Sequence, residues 1–379
     1  MRARNMADGR ADRYDAIVVG LGAMGSAVAF EVAGRGKRVL GIDRFEPPHT
    51  MGSTHGKSRI IREAYFEDPG YVPLVARAFE KWGEIESLSG RRIFERTGGL
   101  MLGPPDGRLV SGALASAKEH RLQHEVLDAR QVMERVPGLR AMADMIGVVE
   151  PRAGVLQPEV AITACLELAR KYGATIVTSE RVVGWEARDR GLRVTTEQRA
   201  YECERLIIAA GAWTSALVPD LGVKLSVERQ VQHWFRPAAP MRTPIIMCEY
   251  APGRFWYSIP DRGEGIKVAI HHEGSTVDPE TVDRTVKAEE VAYVRALLRT
   301  YMPAADGPLI ESSVCLYTNT PDERFLVGRH PAHPNVEIVS ACSGHGFKFA
   351  SAIGEIVAER VTSSSGRQPP LEIPGTRSS

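Results

Sequence analysis

The stretch Tyr14-Asp-Ala-Ile-Val-Val-Gly-Leu-Gly-Ala-Met-Gly25 decides the fold of this chain. Residues 14–20 are an apolar run that ends at a glycine, which is typical of a buried strand. Residues 23–35 have a helix-forming composition, and residues 38–43 form a second apolar run that ends on an acid. The order strand, glycine-rich turn, helix and strand predicts a βαβ unit at the start of the fold.

The glycines of this stretch match the pattern GxGxxG, which is weak evidence by itself in a chain with 36 glycines. Here the pattern follows a strand, opens a helix and is followed 18 residues later by Asp43. In that context Gly20 permits a tight turn, Gly22 lets the backbone approach a pyrophosphate, and Gly25 allows close packing of helix on strand. The helix N-terminus attracts phosphates, and Asp43 can accept a hydrogen bond from a ribose. The pattern predicts a dinucleotide site without separating NAD from FAD.

Length and composition suit a globular protein of two domains. The chain has 379 residues, of which 43% are hydrophobic and 25% charged. With 48 basic and 47 acidic residues the net charge is +1, so no nucleic-acid surface is expected. Residues 16–34 form the longest apolar stretch, but four glycines and Glu31 interrupt it, so no membrane span is expected. Residues 1–13 and 363–379 are predicted to be flexible tails.

The cysteines and histidines favour an organic cofactor over a metal. The five cysteines are scattered, form no CxxC pair and follow a polar segment without a secretory signal, which predicts free thiols in a reducing cytoplasm. The 10 histidines show no HExxH or other metal spacing, so no metal is predicted. Four of the cysteines are interpreted as small buried hydrophobes; they are Cys165, Cys203, Cys248 and Cys342.

The remaining periodicity predicts a cofactor domain interrupted by a substrate domain. Segments with alternating apolar and polar residues predict an antiparallel sheet with one face open to a ligand; they are residues 231–235, 254–258 and 266–271. Helices are predicted at 72–88, 109–120, 159–172 and 349–361, and further strands at 174–178, 192–198, 205–211 and 336–340. The predicted cofactor domain comprises 14–90, 150–225 and 315–362, and the substrate domain 91–149 and 226–314.

Four further segments are distinctive: HGKSRIIR at 55–62, SVCLYT at 313–318, PDE at 321–323 and SGHGFKF at 343–349. Together they resemble the monomeric sarcosine oxidase family, which includes N-methyltryptophan oxidase and related FAD-dependent amine oxidases. The similarity runs from about residue 14 to residue 361. It implies a mixed α/β fold, with a Rossmann-like FAD-binding domain of the glutathione-reductase type and an inserted substrate domain on a mixed antiparallel sheet.

The resemblance also implies roles for single residues. Cys315 would join the 8α-methyl group of FAD through a thioether, and Lys267 would activate oxygen near flavin N5. Arg62 and Lys348 would hold the carboxylate of the substrate. These roles suit the chemistry, because cationic neighbours lower the pKa of a nucleophilic cysteine and a carboxylate takes charge-assisted hydrogen bonds. For Cys315 the alternative is a small buried hydrophobe.

Further positions follow from the same resemblance, and some carry alternatives. Arg59 and Arg62 lie three apart, which on a helix places them on one face, or they form a solvated charge pair. His345 is either a ligand contact or a turn histidine bonded to backbone, and Met247 fills the core or contacts the substrate. Residues implied to line the cavity or lie near the flavin are Tyr257, Tyr317, His271, His55 and Arg59. Further cofactor-binding positions are Ala23, Met24, Arg44, Ser53, Val182, Gly211, Trp213, Gly344, Gly346, Phe347 and Lys348, with the fingerprint residues Gly20, Gly22, Gly25 and Asp43.

Two departures from the family pattern concern charge near the flavin. Lys57 stands where relatives have an acid, and Arg324 stands where relatives often have His or Asp. The Lys57 ammonium would either raise the potential of the flavin or point to solvent.

The predicted function is oxidation of a small secondary amino acid, N-methyl or cyclic, by a monomeric enzyme. The neutral amine would give an imine that water hydrolyses to an aldehyde and an amino acid, while oxygen is reduced to hydrogen peroxide. Sarcosine, N-methylalanine, proline and pipecolate all suit a carboxylate clamp with an apolar cavity. Three alternatives stay open: a flavin dehydrogenase with a non-oxygen acceptor, an NAD-dependent dehydrogenase, and a binding subunit without catalysis.

Overall fold

The structure, a computed structural model, describes residues 13–238, 241–340 and 343–363. The predicted tails and Cys342 lie outside these residues, apart from Arg13 and Ser363. Arg13, which the sequence assigned to a tail, instead begins the first strand, because its backbone pairs with Glu202. Ser363 still donates its backbone N–H to Glu359 at the end of the last helix.

The described strands are, in chain order, β1 Arg13–Val19, β2 Val39–Ile42, β3 Arg59–Ile61, β4 Phe94–Arg96, β5 Gly99–Gly103, β6 Glu125–Asp128, β7 Ile146–Glu150, β8 Gly154–Leu156, β9 Thr175–Val177, β10 Val182–Arg188, β11 Gly191–Thr196, β12 Ala200–Ile208, β13 Ser226–Phe235, β14 Ile245–Ala251, β15 Arg254–Ile259, β16 Ile266–His271, β17 Leu309–Asn319, β18 Leu326–Arg329 and β19 Val336–Ser340. The described α-helices are α1 Ala23–Gly34, α2 Val72–Ser89, α3 Arg108–His120, α4 Ala129–Arg135, α5 Pro158–Lys171, α6 Thr214–Leu217, α7 Ala288–Tyr301 and α8 Ala350–Thr362.

The first sheet carries the dinucleotide turn. Its strands follow the order β10-β11-β12-β1-β2-β9, with β19 beside β12 and β18 beside β19. Strand β1 runs parallel to β2 and β12, and the buried runs of β1 and β2 have the apolar composition expected of a parallel sheet covered by helices. Helices α1, α5 and α8 pack together over this sheet in one apolar core. The predicted βαβ unit and mixed α/β class are confirmed.

The second sheet forms the other large layer. Its order is β17-β13-β16-β15-β14-β5-β7-β6, and its pairs are antiparallel except for β14 with β5. One face packs against α7 in a separate core. Strand residues alternate between faces, so Cys315 and Tyr317 of β17 share one face, as do Lys267 and His271 of β16. A third, small sheet has the order β3-β8-β4.

Two sequence-based placements change in the structure. Arg59 and Arg62 do not share a helix face, since Arg59 begins the strand β3 and pairs with Leu156. The predicted domain boundary before Cys315 falls inside β17, which pairs with β13 along its length. The division of the chain into cofactor and substrate domains stays a prediction. Within the described part of the chain, no helix has both the length and the hydrophobicity to cross a bilayer.

Candidate active site

A cavity of about 260 Å³ begins at the ends of β1 and β2 and continues along one face of the second sheet. It collects most of the predicted site residues, although they come from distant parts of the chain. The predicted residues that line it are Gly20, Gly22, Ala23, Met24, Asp43, Arg44, Ser53, Arg59, Arg62, Val182, Gly211, Trp213, Tyr257, His271, Cys315, Tyr317, Gly344, Gly346, Phe347 and Lys348.

Three predicted residues lie behind this lining. Gly25 packs under the glycine turn, where a β carbon would lie 1.7 Å from the Gly20 oxygen. His55 is buried beside Ser313, and burial lowers its pKa to about 3, so the ring is neutral. Lys267 is buried below the loop of residues 56–58.

The glycine turn has the geometry that a pyrophosphate needs. Gly20 has φ +87, and a β carbon there would lie 2.5 Å from the Ala209 oxygen, so a larger residue is excluded. At Gly22 the nearest atom to such a carbon is the Thr54 hydroxyl at 3.5 Å, which leaves this side of the turn open. Gly22 caps α1 without a side chain of its own, and the Ala23 N–H makes only a long contact with the Thr54 hydroxyl at 3.4 Å, so the N-terminus of the helix can still bind an anion.

Asp43 organises this turn as well as facing the cavity. Its Oδ2 accepts the Leu21 N–H at 2.7 Å and its Oδ1 accepts the Phe45 N–H at 2.8 Å. Each carboxylate oxygen has a second lone pair, so a ribose hydroxyl can still donate to it. Arg44 is less free, because Glu280 accepts both arms of its guanidinium at 2.5 and 2.8 Å.

Cys315 lies beside a fixed cation. Its buried Sγ is 3.8 Å from the Arg59 guanidinium and 3.4 Å from the Ser53 carbonyl. Arg59 is held by the carbonyls of Ser53 at 2.6 Å and Ser58 at 2.7 Å. The sulfur therefore has a fixed guanidinium on one side and a backbone carbonyl on the other.

Lys267 is a buried lysine held by backbone. Its Nζ donates to the Gly56 carbonyl at 2.9 Å and the Ser58 carbonyl at 3.0 Å, and lies 5.3 Å from the centre of the Trp234 ring. Burial, and then the charge of Arg59, hold its pKa well below the usual value for lysine. The two carbonyls act in the opposite sense, because an ammonium donates stronger hydrogen bonds to them than a neutral amine does.

Arg62 and Lys348 both contact the ring of Tyr65. The Arg62 guanidinium lies 4.5 Å and the Lys348 ammonium 5.3 Å from the centre of that ring. Lys348 donates to the His345 carbonyl at 2.7 Å, and burial, followed by Arg62, lowers its pKa to about 7. Both basic groups therefore lie around one aromatic ring and line the cavity, where they can bind an anion.

Glu67 was missed by the sequence reasoning. Its oxygens accept the Arg62 Nη2 at 2.8 and 2.7 Å, and the carboxylate lines the cavity. Burial opposes its charge, but Arg62, His345 and Lys348 hold its pKa below the usual value. A substrate carboxylate that binds Arg62 has to share or replace this partner. A loop acid five residues from its arginine carries no periodic signal in the sequence.

Neutral polar side chains complete this part of the cavity. Burial raises the pKa of Tyr257 to about 12 and that of Tyr317 well above 10. Burial and the charge of His272 lower the pKa of His271 well below 6.5, so its ring is neutral and can accept hydrogen bonds. Its Nδ1 lies 3.4 Å from the Tyr317 hydroxyl. The arrangement therefore places an anion site, shared with Glu67, next to three neutral polar side chains, which suits a small amino acid.

Four residues with open or divergent roles have defined surroundings in the structure. His345 is bonded to backbone, its Nε2 contacting the Glu323 carbonyl at 2.9 Å, and it also lines the cavity. Met247 lines the cavity too. Lys57 points outward, with its ammonium 2.5 Å from Glu311 at the surface. Arg324 is half exposed and pairs with Asp68 at 3.4 Å.

The whole chain, and not only this cavity, is similar to known proteins. The sequence pattern of the family described as FAD dependent oxidoreductase matches residues 15–360. A monomeric sarcosine oxidase of Streptomyces avermitilis is 43% identical over 356 residues, which cover 91% of this chain and 93% of that protein. The chain belongs to the FAD dependent oxidoreductase family.

Two further proteins support this membership. An N-methyl-L-tryptophan oxidase of Salmonella enteritidis PT4 is 35% identical over 353 residues, covering 92% of this chain and 94% of that protein. The solved structure of NikD, an unusual amino acid oxidase essential for nikkomycin biosynthesis, has a TM-score of 0.84 and 27% identity, with 93% and 95% of the two chains covered. The resemblance to the sarcosine oxidase family is confirmed.

The chain thus uses FAD, and its residues fit that cofactor. The open side of Gly22, the uncapped N-terminus of α1 and the free lone pairs of Asp43 suit the dinucleotide part. A buried His55 Nε2 and a buried Gln232 Oε1 have no protein partner within hydrogen-bond distance, which suits a polar ring system nearby. The roles of the single residues stay predictions.

One further cluster has the residue types of a metal site. Asp220, His330 and His333 bring three potential ligand atoms within 4.8 Å of one another. However, the His330 Nδ1 accepts the Ala332 N–H at 3.1 Å, so its Nε2 carries the proton and donates to Asp220. A metal-binding histidine normally has the opposite polarity, with its second nitrogen donating.

Proposed function

We propose that this FAD-dependent oxidoreductase is an oxidase of small N-methyl or cyclic amino acids. The observation that carries the proposal is the pair of buried cations, Arg62 and Lys348, on the Tyr65 ring beside the neutral His271 and Tyr317. The names of the relatives support the substrate class, since they refer to sarcosine and N-methyl-L-tryptophan. When bound, FAD supplies the two-electron oxidation of the amine and the later reduction of oxygen.

The residues of the chain would place and orient the substrate. Lys348 and Arg62 bind its carboxylate, which turns the adjacent amine and its C–H bond towards the cofactor. Tyr257, Tyr317 and the neutral His271 add no charge, so they favour the uncharged amine over the ammonium form. The buried site limits water at the reacting carbon until the imine leaves or is hydrolysed.

Lys267 would serve the oxygen half of the reaction. Burial lowers its pKa, whereas the two carbonyls that accept its N–H groups favour the ammonium form, which would stabilise the negative charge that develops as oxygen is reduced.

Cys315 would hold the cofactor covalently through its sulfur. Its place in the cavity lining and the Arg59 guanidinium 3.8 Å from its sulfur support this role. We expect flavin fluorescence to stay with the chain after acid precipitation and denaturing electrophoresis, and Cys315→Ser to release it. Cys248→Ser, at a cysteine buried in the core of the second sheet, is the matched control and should keep the flavin attached.

The substrate class is tested by a peroxide assay across a panel of amino acids. Sarcosine, N-methylalanine, proline, pipecolate and N-methyltryptophan should be compared with their primary-amine counterparts and with N-methylamines that lack a carboxylate. We expect peroxide with one or more secondary amino acids and little with the other two groups. Turnover that requires an artificial electron acceptor and yields no peroxide would favour the dehydrogenase alternative. A monomer in the cytoplasm completes the proposal, the former supported by the relative named a monomeric enzyme.

A further inference from the structure

One carboxylate organises the loop that holds Lys267. The Oε1 of Glu159 accepts the N–H groups of Gly56 at 2.8 Å and Lys57 at 3.0 Å. The carbonyls of the same loop, on Gly56 and Ser58, accept the Lys267 Nζ at 2.9 and 3.0 Å. Glu159 therefore binds N–H groups of the loop of residues 56–58, while Lys267 binds carbonyl groups of the same loop.

This loop has a backbone conformation that needs such support. Gly56 has φ +96 and Lys57 has φ +65, a region that residues with side chains rarely adopt. A β carbon at Gly56 would lie 2.3 Å from the Gln232 Oε1, so the loop also approaches β13 closely. The two N–H groups that Glu159 accepts belong to these two residues, so its carboxylate stabilises the conformation that directs both carbonyls at Lys267.

Glu159 also contributes charge. It lies in the first turn of α5, and its carboxylate favours the protonated form of Lys267, whereas Arg59 opposes it. Lys57 adds little to this balance, because its ammonium is paired with Glu311 at the surface. The titratable groups around Lys267 come from both sides of the loop, from α5, from the residues before β16 and from β17. In that order they are His55 and Arg59, Glu159, Glu264 and Cys315.

We propose that Glu159 is a positioning residue for the oxygen half-reaction, which fixes the loop of residues 56–58 so that its carbonyls hold the Lys267 ammonium behind the cavity wall. This inference rests on the proposed function, because it needs Lys267 to act on oxygen. Glu159 does not line the cavity, so it acts through the loop and the lysine rather than on the substrate.

Two substitutions separate its geometry from its charge. Glu159→Gln keeps an oxygen that can accept both N–H groups but removes the charge, whereas Glu159→Ala removes both. We expect Glu159→Ala to slow reoxidation of the reduced flavin by oxygen about tenfold or more, as expected for losing charge-assisted hydrogen bonds. The control is Glu167→Gln, an exposed acid of the same helix that pairs with Arg91, and it should leave reoxidation unchanged.

Glu159→Gln should chiefly change how the rate of flavin reoxidation by oxygen depends on pH. Fast reoxidation needs the Lys267 ammonium. The fast rate should therefore be observed below the pKa of this lysine and should be lost as the pH rises through that pKa. Glu159 favours the ammonium, and its removal should move that loss to lower pH, by about one pH unit, the lower end of the shift that a nearby opposite charge produces. A pH titration of the visible flavin spectrum in the resting enzyme should shift by the same amount, without turnover.

A double-mutant cycle decides the inference. In the Lys267→Met background, Glu159→Gln should slow reoxidation no further, and anaerobic flavin reduction by substrate should change little in either variant. Equal slowing by Glu159→Gln with and without Lys267, or no shift in either pH profile, would overturn the role of Glu159. If Lys267→Met itself leaves reoxidation at the wild-type rate, the proposed oxygen site fails. Melting temperatures identify a variant that is merely unfolded, and Glu159→Gln then provides the test in place of Glu159→Ala.

Discussion

The two ends of the cavity are built in different ways. The dinucleotide end comes from one continuous stretch, in which Gly20 and Gly25 are fixed by contacts with backbone that leave no room for a β carbon. The anion site comes from distant segments, with Tyr65 bonded to His345 across 280 positions of the chain. The first end depends on steric exclusion, and the second depends on the balance of buried charges. They should therefore respond to different perturbations.

The largest effect is expected at the lysine that belongs to neither end. Lys267→Met removes a fixed charge and should slow flavin reoxidation by oxygen about a hundredfold or more, the scale of losing one preorganised electrostatic group. Anaerobic reduction by substrate should change far less. Stopped-flow absorbance measures both steps. Lys57→Met is the matched control, because Lys57 lies 5.1 Å from the same Trp234 ring but is exposed; comparable slowing in that variant would contradict the assignment.

At the dinucleotide end, Gly25→Ala should lower stability and FAD retention together. The added β carbon would meet the Gly20 oxygen at 1.7 Å, and relieving such overlap typically costs about 1–3 kcal/mol. Thermal melting and bound flavin per chain measure the effect. Gly83→Ala in α2 is the control, since its β carbon would meet nothing within 4 Å and alanine favours a helix. If Gly25→Ala melts like wild type with full flavin, steric exclusion is not what fixes this turn.

At the anion site, Lys348→Met should lower kcat/KM for an amino acid substrate about tenfold to a hundredfold, as one charge-assisted hydrogen bond is worth about 1.5–3 kcal/mol. The loss should appear in substrate use even when kcat/KM is expressed per bound flavin, in contrast to Gly25→Ala. Arg62→Ala should also lower kcat/KM, but it leaves the Glu67 carboxylate buried without its partner, so its melting temperature should fall as well. An equal loss for an amine without a carboxylate would refute the carboxylate clamp.

The smallest effect is a pH dependence of anion affinity. The pKa of Lys348 is lowered to about 7, and a bound carboxylate favours its ammonium form. The dissociation constant of a short carboxylic acid without an amino group should therefore be lowest below pH 7. Above pH 7 it should rise by up to about tenfold per pH unit. Flavin absorbance titrations measure it, and Lys348→Met should abolish the dependence. A flat profile in the wild-type enzyme would mean that another cation holds the anion.

The sequence predicted the first end better than the second, for physical reasons. Gly20, Gly22 and Asp43 leave a signature because only certain residues fit that turn, and the strands around it are apolar runs. A shared helix face, one of two alternatives left open for Arg59 and Arg62, does not occur, because three-residue spacing does not distinguish a helix from a strand followed by a loop. The resemblance indicated which residues meet in the cavity.

Neither the sequence patterns nor the family resemblance predicted which acidic residues support the buried basic side chains. Glu67 pairs with Arg62, and Glu159 supports Lys267 through backbone rather than by direct contact. These pairings depend on how loops pack in the folded protein. Periodicity and motif spacing carry no information about that packing.

The position of Cys315 has a consequence for how the cofactor contributes to stability. This cysteine lies on β17 in the second sheet, whereas the glycine turn belongs to the first. An ordinary ligand stabilises the folded state by mass action, so its contribution falls when the protein is diluted. A cofactor joined to Cys315 and bound by the turn would not dissociate on dilution, and the melting temperature of the loaded enzyme should then be the same at any concentration of free FAD.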